Sequence, residues 1–259
     1  MARLLVIGGG RMGEALVAGL VASGWAPAEE IVVVEALAAR RDELSAAHRG
    51  LVVRSSGGDG LATVLAVKPG DAVASLDGLA PSRVLSIAAG VTTGALEAAL
   101  PEGTPVVRAM PNTPALVGAG AAAVAGGTHA TDDDLTWAEE ILGAVGTVVR
   151  VPETQLDAVT GLSGSGPAYV FLVAEALIDA GVLVGLPRPA SRELAVQTLL
   201  GAARLLSETG ETPEALRAQV TSPGGTTAAG LRALEAGGVR SAVVDAVVAA
   251  TERSRELGT

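Results

Sequence analysis

A run of hydroxyl side chains and glycines, "VTSPGGTT", occupies residues 220–227 between two stretches with helical periodicity. Ser222 followed by Pro223 resembles a helix N-cap followed by proline at the first helical position. Gly224 and Gly225 keep such a turn narrow, and a helix that begins here offers free N–H groups to a carboxylate. An ordinary capped helix entry explains the same residues equally well. The stretch therefore predicts either a plain helix start or a small-anion site flanked by hydroxyls.

A second candidate site lies near the N-terminus, in "LLVIGGGRMGEAL". Gly8, Gly10 and Gly13 have the spacing G-x-G-x-x-G. The first glycine permits a tight turn, the second lets the backbone approach a pyrophosphate, and the third lets helix and strand pack closely. In a chain with 34 glycines the pattern alone also fits a simple glycine-rich turn. Its place between a strand-like run and a helical run favours a dinucleotide site.

The end of the next predicted strand carries an acidic residue, Glu35, about 20 residues after Gly13. A carboxylate there can accept hydrogen bonds from the adenosine ribose hydroxyls and repels a 2'-phosphate, which favours NAD over NADP. Arg40 and Arg41, one helical turn further on, could neutralise that phosphate instead. A solvated helix face explains the two arginines as well. The choice between NADH and NADPH stays open.

Lysine and histidine are scarce in this chain. Lys68 is the one lysine, and His48 and His129 are the two histidines. The residues after 129 therefore contain no lysine or histidine that could take a proton from an alcohol. Lys68 itself is typical of an exposed strand end. Reduction of a C=N bond needs no such base, because a protonated cyclic imine accepts hydride once the protein orients the ring.

Composition limits the class of protein. The 259 residues are 49% hydrophobic, enough to bury a sizeable core in one or two domains. Cysteine is absent, which excludes disulfides and thiolate metal sites, and we expect no metal. A net charge of -10, spread thinly, argues against nucleic acid or an anionic membrane as partner. No basic segment precedes an apolar stretch at the start, so we expect no signal peptide and a cytoplasmic location.

Short β-branched runs alternate with Ala-rich helical stretches over the first part of the chain. Strands are predicted at residues 3–8, 31–35, 63–68, 83–88, 104–110 and 146–151, and helices at 11–23, 37–48, 70–79 and 132–142. This alternation predicts an α/β fold with an N-terminal Rossmann-type, doubly wound and mostly parallel sheet. The segments "LAVKP" (65–69) and "SIAAG" (86–90) then lie at the carboxyl edge, where dinucleotides bind.

The strand pattern fades after the last of these strands. Helices are predicted at residues 167–184, 188–208, 213–219, 226–236 and 239–256. We therefore predict a dinucleotide-binding domain at 1–155 and an all-helical substrate-binding and dimerisation domain at 156–259, with substrate in the cleft between them. The apolar window 168–185 contains Glu175 and Asp179 and is short for a bilayer span, so we expect a buried core helix and no membrane.

Six motifs occur along the chain in a fixed order: "IGGGRMGEAL", "AVKP", "SIAAG", "RAMPNTPA" (108–115), "LSGSGPAY" (162–169) and "VTSPGGTT". Together they resemble the pyrroline-5-carboxylate reductase family, and the last two motifs are far more specific than the glycine pattern. The resemblance covers nearly the whole chain. It implies reduction of 1-pyrroline-5-carboxylate to L-proline with NADPH or NADH, the last step of proline biosynthesis. It also implies a cytoplasmic bacterial homodimer interleaved through its helical domain and often assembled into a decamer.

The resemblance also assigns roles to residues. The hydroxyl of Thr227 is implied to be the catalytic group that bonds the ring nitrogen, and Asn112 is implied to lie near the nicotinamide. The implied substrate-binding residues are Ser222, Gly224, Gly225, Thr226, Thr227 and Glu153. With Glu35, the candidate cofactor-binding residues are Gly8, Gly10, Arg11, Met12, Gly13, Ala66, Val67, Lys68, Pro69, Ala88, Ala89, Gly90 and Asn112.

The chain departs from the family pattern at one position, and alternative functions stay open. NADPH-preferring members of the family usually avoid an acid at the position of Glu35. The acid that some members bring from the loop before "SPGG" aligns equally well with Glu208 and Glu211. A related imine or β-hydroxyacid reductase is one alternative function, although the lack of lysine after Lys68 argues against the hydroxyacid version. A non-catalytic dinucleotide-sensing protein is the other, and the substrate motifs argue against it.

Overall fold

The computed structural model describes residues 2–57 and 60–258. Contacts divide the chain into two compact units: unit 1 comprises Met1–Ser165 and Val248–Thr259, and unit 2 comprises Gly166–Val247. Unit 1 extends beyond residue 155, and the C-terminal residues also belong to it. The functional division at 155/156 stays a prediction.

Unit 1 is built on one sheet, in which the described residues form eight strands. In chain order these are β1 Leu4–Ile7, β2 Ile31–Val34, β3 Val52–Arg54, β4 Ala62–Leu65, β5 Arg83–Ser86, β6 Val106–Met110, β7 Gly120–Gly126 and β8 Gly146–Arg150. The order across the sheet is β3-β2-β1-β4-β5-β6-β7-β8. All neighbouring strands are parallel except β6 and β7. The predicted doubly wound, mostly parallel sheet is confirmed.

Two of these strands, β3 and β7, were not predicted. β3 has only three residues. β7 has the sequence GAAAVAG, and glycine and alanine carry little strand propensity of their own. β7 is a strand because it pairs with β6 on one side and with β8 on the other. Tertiary pairing, rather than local sequence, therefore fixes this part of the sheet.

Helices connect the strands of unit 1. They are α1 Arg11–Ala22, α2 Ala38–Ala47, α3 Pro69–Ala72, α4 Thr93–Glu97, α5 Asp132–Gly143 and α6 Leu156–Val159. The single helix predicted at 70–79 is wrong in its length, because α3 is followed by a 3-10 turn at Ala74–Leu76. Gly78, with φ +71°, lies in the left-handed region and ends the helical path there.

The sheet has a hydrophobic core on each face, as a parallel sheet covered on both sides requires. Alternate residues of β1 supply the two cores: Leu4 and Val6 join one cluster, and Leu5 and Ile7 join the other. The first cluster includes Leu16, Leu20 and Ile141 from helices α1 and α5. The second includes Leu76 and Leu96. All four residues of β1 are buried, so β1 is central to the packing.

Unit 2 is helical, as predicted. It contains α7 Gly166–Leu183, α8 Arg188–Thr209, α9 Pro213–Gln219 and α10 Thr226–Ala236, together with the first part of α11 Val239–Leu257. The expectation that α7 is a buried core helix is wrong for the single chain. No residue of α7, all of which is described, is buried, and Phe171 and Leu183 are 62% and 87% exposed.

The helical run Glu153–Leu183 is long and apolar enough to cross a membrane by length and composition, with a mean hydropathy of 1.5 in its most apolar window. None of that window is buried in the chain. An apolar surface of this size requires a partner, which is either a second protein chain or a lipid phase.

Candidate active site

Three glycines shape the turn between β1 and α1, and two of them leave no space for a side chain. Gly8 has φ +102°, and a Cβ on it would lie 2.5 Å from the Ala66 carbonyl oxygen. A Cβ on Gly13 would lie 2.1 Å from the carbonyl oxygen of Gly8, so helix and turn pack backbone against backbone. A Cβ on Gly10 would meet nothing within 4 Å. The turn is therefore closed behind Gly8 and Gly13 and open at Gly10, which leaves room for a pyrophosphate.

The helix that follows this turn begins without a side-chain cap. Gly10 is its N-cap residue, and the first intrahelical bond runs from the Glu14 N–H to the Gly10 carbonyl. The N–H groups of Arg11, Met12 and Gly13 precede that bond and have no intrahelical acceptor. They sit at the positive end of the helix dipole. The open face of the turn thus fits a phosphate group.

Glu35 lies against the glycine turn directly after β2. The Gly9 N–H donates to one of its carboxylate oxygens at 3.0 Å, and the Leu37 N–H donates to the other at 2.9 Å. Arg41 donates to the main-chain carbonyls of Glu35 and Ala36. These bonds fix the carboxylate beside the turn, where an adenosine ribose lies in proteins of this fold.

Two further segments reach the same sheet edge as the glycine turn. Ile7 at the end of β1 is paired with Leu65 at the end of β4, and Leu65 is paired with Ser86 at the end of β5. The segments 66–69 and 88–90 therefore begin beside the turn at the carboxyl edge. Lys68 is exposed and is the N-cap residue of α3, without a side-chain cap bond. The structure thus brings the predicted cofactor segments together.

The C-terminus of the chain also reaches this edge, which the sequence did not reveal. A Cβ on Gly90 would lie 3.6 Å from the Leu257 carbonyl oxygen and from Gly258 Cα. The Ser254 hydroxyl donates to the Asp157 carboxylate at 2.7 Å and holds the end of α11 on unit 1. No local pattern encodes a contact across so long a sequence separation.

Asn112, at the carboxyl end of β6, is buried and has both ends of its amide engaged. Its carbonyl oxygen accepts from the Ala121 N–H at 2.8 Å, and its NH2 group donates to the Ser163 carbonyl at 3.0 Å. The residue thus ties "MPNTP" to β7 and to "LSGSG". One amide proton is left for a further acceptor. Its place near the nicotinamide stays a prediction.

Glu153 is tied by its carboxylate to the start of α4 and to β6. Thr93 donates its N–H at 2.8 Å and its hydroxyl at 2.6 Å, and Arg108 donates at 3.1 Å. Burial opposes the ionised form, but the bonds from Thr93 and Arg108 outweigh burial and hold the pKa of Glu153 below its usual value. Both oxygens are therefore engaged within unit 1, and the predicted approach of Glu153 to substrate stays a prediction.

The "SPGG" segment of unit 2 is a β-turn and not a helix cap. The Gly225 N–H donates to the Ser222 carbonyl at 3.1 Å across Pro223 and Gly224, and Gly224 has φ +69°. Proline at the second position and a left-handed glycine at the third define a type II turn. The expectation that Ser222 caps the helix and Pro223 begins it is wrong, because both residues belong to the β-turn that precedes the helix. The helix α10 begins at Thr226 with Gly225 as its N-cap residue.

α10 begins at Thr226, and this start leaves more N–H groups without an acceptor than the predicted start at Pro223 would. No side chain caps it, and its first intrahelical bond runs from the Ala229 N–H to the Gly225 carbonyl. The N–H groups of Thr226, Thr227 and Ala228 therefore have no intrahelical acceptor. Thr227 is half-buried and Thr226 is exposed. Free N–H groups, two hydroxyls and a glycine turn thus lie together, which suits a small carboxylate.

The fold and the glycine site define a nicotinamide-dinucleotide oxidoreductase. Residues 3–90 match the family described as "NADP oxidoreductase coenzyme F420-dependent", and residues 153–257 match the family described as "Pyrroline-5-carboxylate reductase dimerisation". The second match contains α7 to α10, so the exposed apolar helices lie in an oligomerisation region.

Relatives that match nearly the whole chain identify its family within the nicotinamide-dinucleotide oxidoreductases. The chain is 48% identical to the pyrroline-5-carboxylate reductase of Synechocystis sp. over 99% of its own length and 98% of that protein. The solved structure of such a reductase from Coxiella burnetii is 37% identical, with TM-score 0.93 over 100% of this chain and 99% of the other. The structure of a Plasmodium falciparum pyrroline carboxylate reductase with NADP bound is 31% identical, with TM-score 0.84 over 100% of this chain and 98% of the other. The chain belongs to the pyrroline-5-carboxylate reductase family.

Proposed function

We propose that this protein reduces 1-pyrroline-5-carboxylate to L-proline with hydride from NADPH or NADH, the last step of proline biosynthesis. The observation that carries the proposal is the 48% identity to a reductase of this name over 99% of the chain. This similarity includes both the dinucleotide site of unit 1 and the "SPGGTT" turn of unit 2. A reductase needs both, whereas a protein that only senses a dinucleotide has no use for the second.

The chemistry matches what the chain has and lacks. The substrate is a cyclic imine with one carboxylate, and its protonated form carries the positive charge that makes the imine carbon accept hydride. The bound reduced nicotinamide supplies that hydride. The chain has no lysine or histidine after His129, and this reaction requires none there. Its tasks are to orient the ring and to hold the carboxylate.

We assign the carboxylate to the start of α10. The free N–H groups of Thr226 and Thr227 are its donors, and the turn from Ser222 through Gly224 and Gly225 gives it room. The hydroxyl of Thr227 accepts the N–H of the protonated ring nitrogen and orients the ring. Thr227 is therefore the proposed catalytic residue, because it touches the group that changes charge when hydride arrives.

We assign the dinucleotide to the carboxyl edge of the sheet. The free N–H groups of α1 beside Gly10 fit the pyrophosphate. The proposed cofactor-binding residues are the segment from Gly8 to Gly13, Glu35, Ala66, Val67, Lys68, Pro69, Ala88, Ala89, Gly90 and Asn112. We accordingly propose 1–155 as the dinucleotide-binding domain and 156–259 as the helical domain for substrate and dimerisation.

We propose a homodimer formed through the helical domain as the basic assembly, with a decamer as its higher form. The exposed apolar side chains of α7 and α8 support this proposal, because a second chain can cover them. A second chain in this position would also cover the apolar run Glu153–Leu183, so a membrane is not needed to cover it. A net charge of -10 is unfavourable for binding nucleic acid. A cytoplasmic location is consistent with these assignments.

The direct test is to incubate purified protein with 1-pyrroline-5-carboxylate and NADPH or NADH, and to separate the products on a chiral column. We expect L-proline to form in proportion to the dinucleotide oxidised. Related cyclic imines and β-hydroxyacids, tried in parallel, should be poorer substrates. A preparation that binds dinucleotide but forms no proline would favour the sensing function instead.

A further inference from the structure

We infer that Glu35 makes this site select NADH over NADPH, through direct contact with the adenosine ribose. The inference rests on the proposed function, because it specifies which of two dinucleotides the same site prefers. The two dinucleotides differ only at the ribose 2' position, where NADH has a hydroxyl and NADPH has a phosphate. The preference for one dinucleotide over the other therefore depends on the side chains that face the ribose 2' position.

The carboxylate of Glu35 is held in place for a hydroxyl partner. The Gly9 N–H bonds one oxygen and the Leu37 N–H bonds the other, at 3.0 and 2.9 Å. A carboxylate has about four acceptor positions, so two stay available for ribose hydroxyls. Glu35 is half-buried and Gly9 is buried, which limits competition from water. A phosphate placed there would face a fixed negative charge at close range, which is strongly unfavourable.

Arg40 is the residue that could have compensated for this repulsion, but its three nitrogens are already engaged. They donate to the Gly9 carbonyl at 2.8 Å, to the Glu43 carboxylate at 2.8 Å and to the Glu14 carboxylate. His48 contacts the other oxygen of Glu14 at 3.1 Å. The two carboxylates paired with Arg40 offset its charge and would repel a phosphate brought to its remaining N–H groups. The guanidinium instead stabilises the main chain of the glycine turn.

Arg41 is held on the main chain beside Glu35 through one of its three guanidinium nitrogens. Its Nη1 donates to the main-chain carbonyls of Glu35 and Ala36, at 2.8 and 2.6 Å. These two bonds hold the guanidinium on the backbone that carries Glu35 and fix the course of the chain after β2. The two arginines thus build the loop around Glu35. The position that selects the dinucleotide is left to the carboxylate.

The test is a direct binding measurement in the absence of imine substrate. The purified oligomer is titrated with NADH and with NADPH, and nicotinamide fluorescence or calorimetry gives each dissociation constant. We expect NADH to bind at least about 10-fold more tightly. The same protein should bind ADP more tightly than adenosine 2',5'-bisphosphate, because these fragments carry the same difference at the ribose.

Three variants attribute the preference to Glu35. Glu35→Ser removes the charge and both acceptors, and it should reduce the preference to near unity or reverse it. Glu35→Gln keeps the side-chain size and one acceptor oxygen. Its preference for NADH should lie between that of the unaltered protein and that of Glu35→Ser. Asp42→Asn removes one exposed negative charge on α2, and it should leave the ratio of the two constants unchanged. Thermal unfolding of each variant confirms that it is folded.

Two results would overturn the inference. One is equal or tighter binding of NADPH by the unaltered protein, and the other is a ratio that Glu35→Gln and Glu35→Ser both leave unchanged. Either could occur with full proline formation, which would leave the proposed function standing. A protein that binds neither dinucleotide would remove the proposed function as well, so the two failures are distinguishable.

Discussion

Thr93 donates both its N–H and its hydroxyl to the carboxylate of Glu153, at 2.8 and 2.6 Å, across a separation of 60 residues. The pair ties the start of α4 to the segment that follows β8. Arg108 of β6, only 10% exposed at its side chain, adds the third bond at 3.1 Å. A single carboxylate thus joins α4, β6 and the segment after β8 within unit 1.

This arrangement predicts a specific pH dependence of stability. The pKa of Glu153 is lowered in the folded protein, so its ionised form adds stability that is fully present above the unfolded pKa of about 4.3. That stability is lost as the pH falls through the folded pKa. Glu153→Gln should cost about 2 kcal/mol at neutral pH, because charged hydrogen bonds are lost. The cost should shrink in acid.

Urea unfolding at a series of pH values and one protein concentration measures this effect. The exposed carboxylate of Glu102 provides the control, since Glu102→Gln should leave the free energy of unfolding nearly unchanged across the same range. Parallel curves for Glu153→Gln and the unaltered protein would contradict the stabilising role of the ionised carboxylate.

Gly13→Ala should damage both the fold and the dinucleotide site. A Cβ on Gly13 would lie 2.1 Å from the Gly8 carbonyl oxygen, so the turn or α1 has to move. We expect a loss of about 2 kcal/mol in stability from this overpacking, together with weaker NADH and NADPH binding. Gly143→Ala, at the exposed end of α5 where nothing lies within 4 Å, is the matched control. Equal melting temperatures and affinities for the two variants would refute the close-packing role of Gly13.

Thr227→Ala tests the proposed catalytic hydroxyl. Loss of a hydrogen bond to a charged ring nitrogen should cost about 2 kcal/mol of transition-state stabilisation, or roughly a 30-fold decrease in kcat/KM. Dinucleotide affinity in the absence of imine should stay unchanged. Thr227→Ser keeps the hydroxyl and should recover most of the activity. If Thr227→Ala turns over as the unaltered protein does, with the same KM, Thr227 has no part in the site.

Phe171→Glu tests the assembly. Phe171 is 62% exposed on α7 in the single chain, and a charge there should dissociate the oligomer if a second chain covers that helix. Light scattering should give a dimer or larger for the unaltered protein and a monomer for the variant at micromolar concentration. Val117→Glu changes an 80% exposed valine of unit 1 and should leave the mass unchanged. A stable monomer before any substitution would contradict the proposed homodimer.

Elements with strong local signals were predictable from the sequence. The strand β1, buried at all four residues, and the helix α5 follow from the periodicity of their apolar residues. The neighbour of Gly8 is Ala66 on a distant segment, but the close packing of Gly13 also follows from the glycine spacing, because its neighbour is Gly8. The same holds for the position of Glu35 at the end of β2.

Features that depend on distant residues were not predictable. β7 is a strand only through its neighbours, and the bonds of Glu153 to Thr93 and Arg108 join separate elements. The approach of Leu257 to Gly90 is of the same kind. The exposure of α7 was mispredicted because an apolar helix has the same sequence whether its own chain or another one covers it. The residues from Ser222 to Gly225 fit both a helix N-cap and a type II β-turn, and in the structure they form the turn.

Isotope labelling is the most direct test of hydride transfer from the nicotinamide to the imine carbon of 1-pyrroline-5-carboxylate. The protein is given this substrate with NADH or NADPH deuterated at the transferable C4 position, and the product is analysed by mass spectrometry. We expect L-proline with a single deuterium at its C5 carbon. Unlabelled proline from fully labelled dinucleotide, or no proline from a protein that binds both ligands, would contradict it.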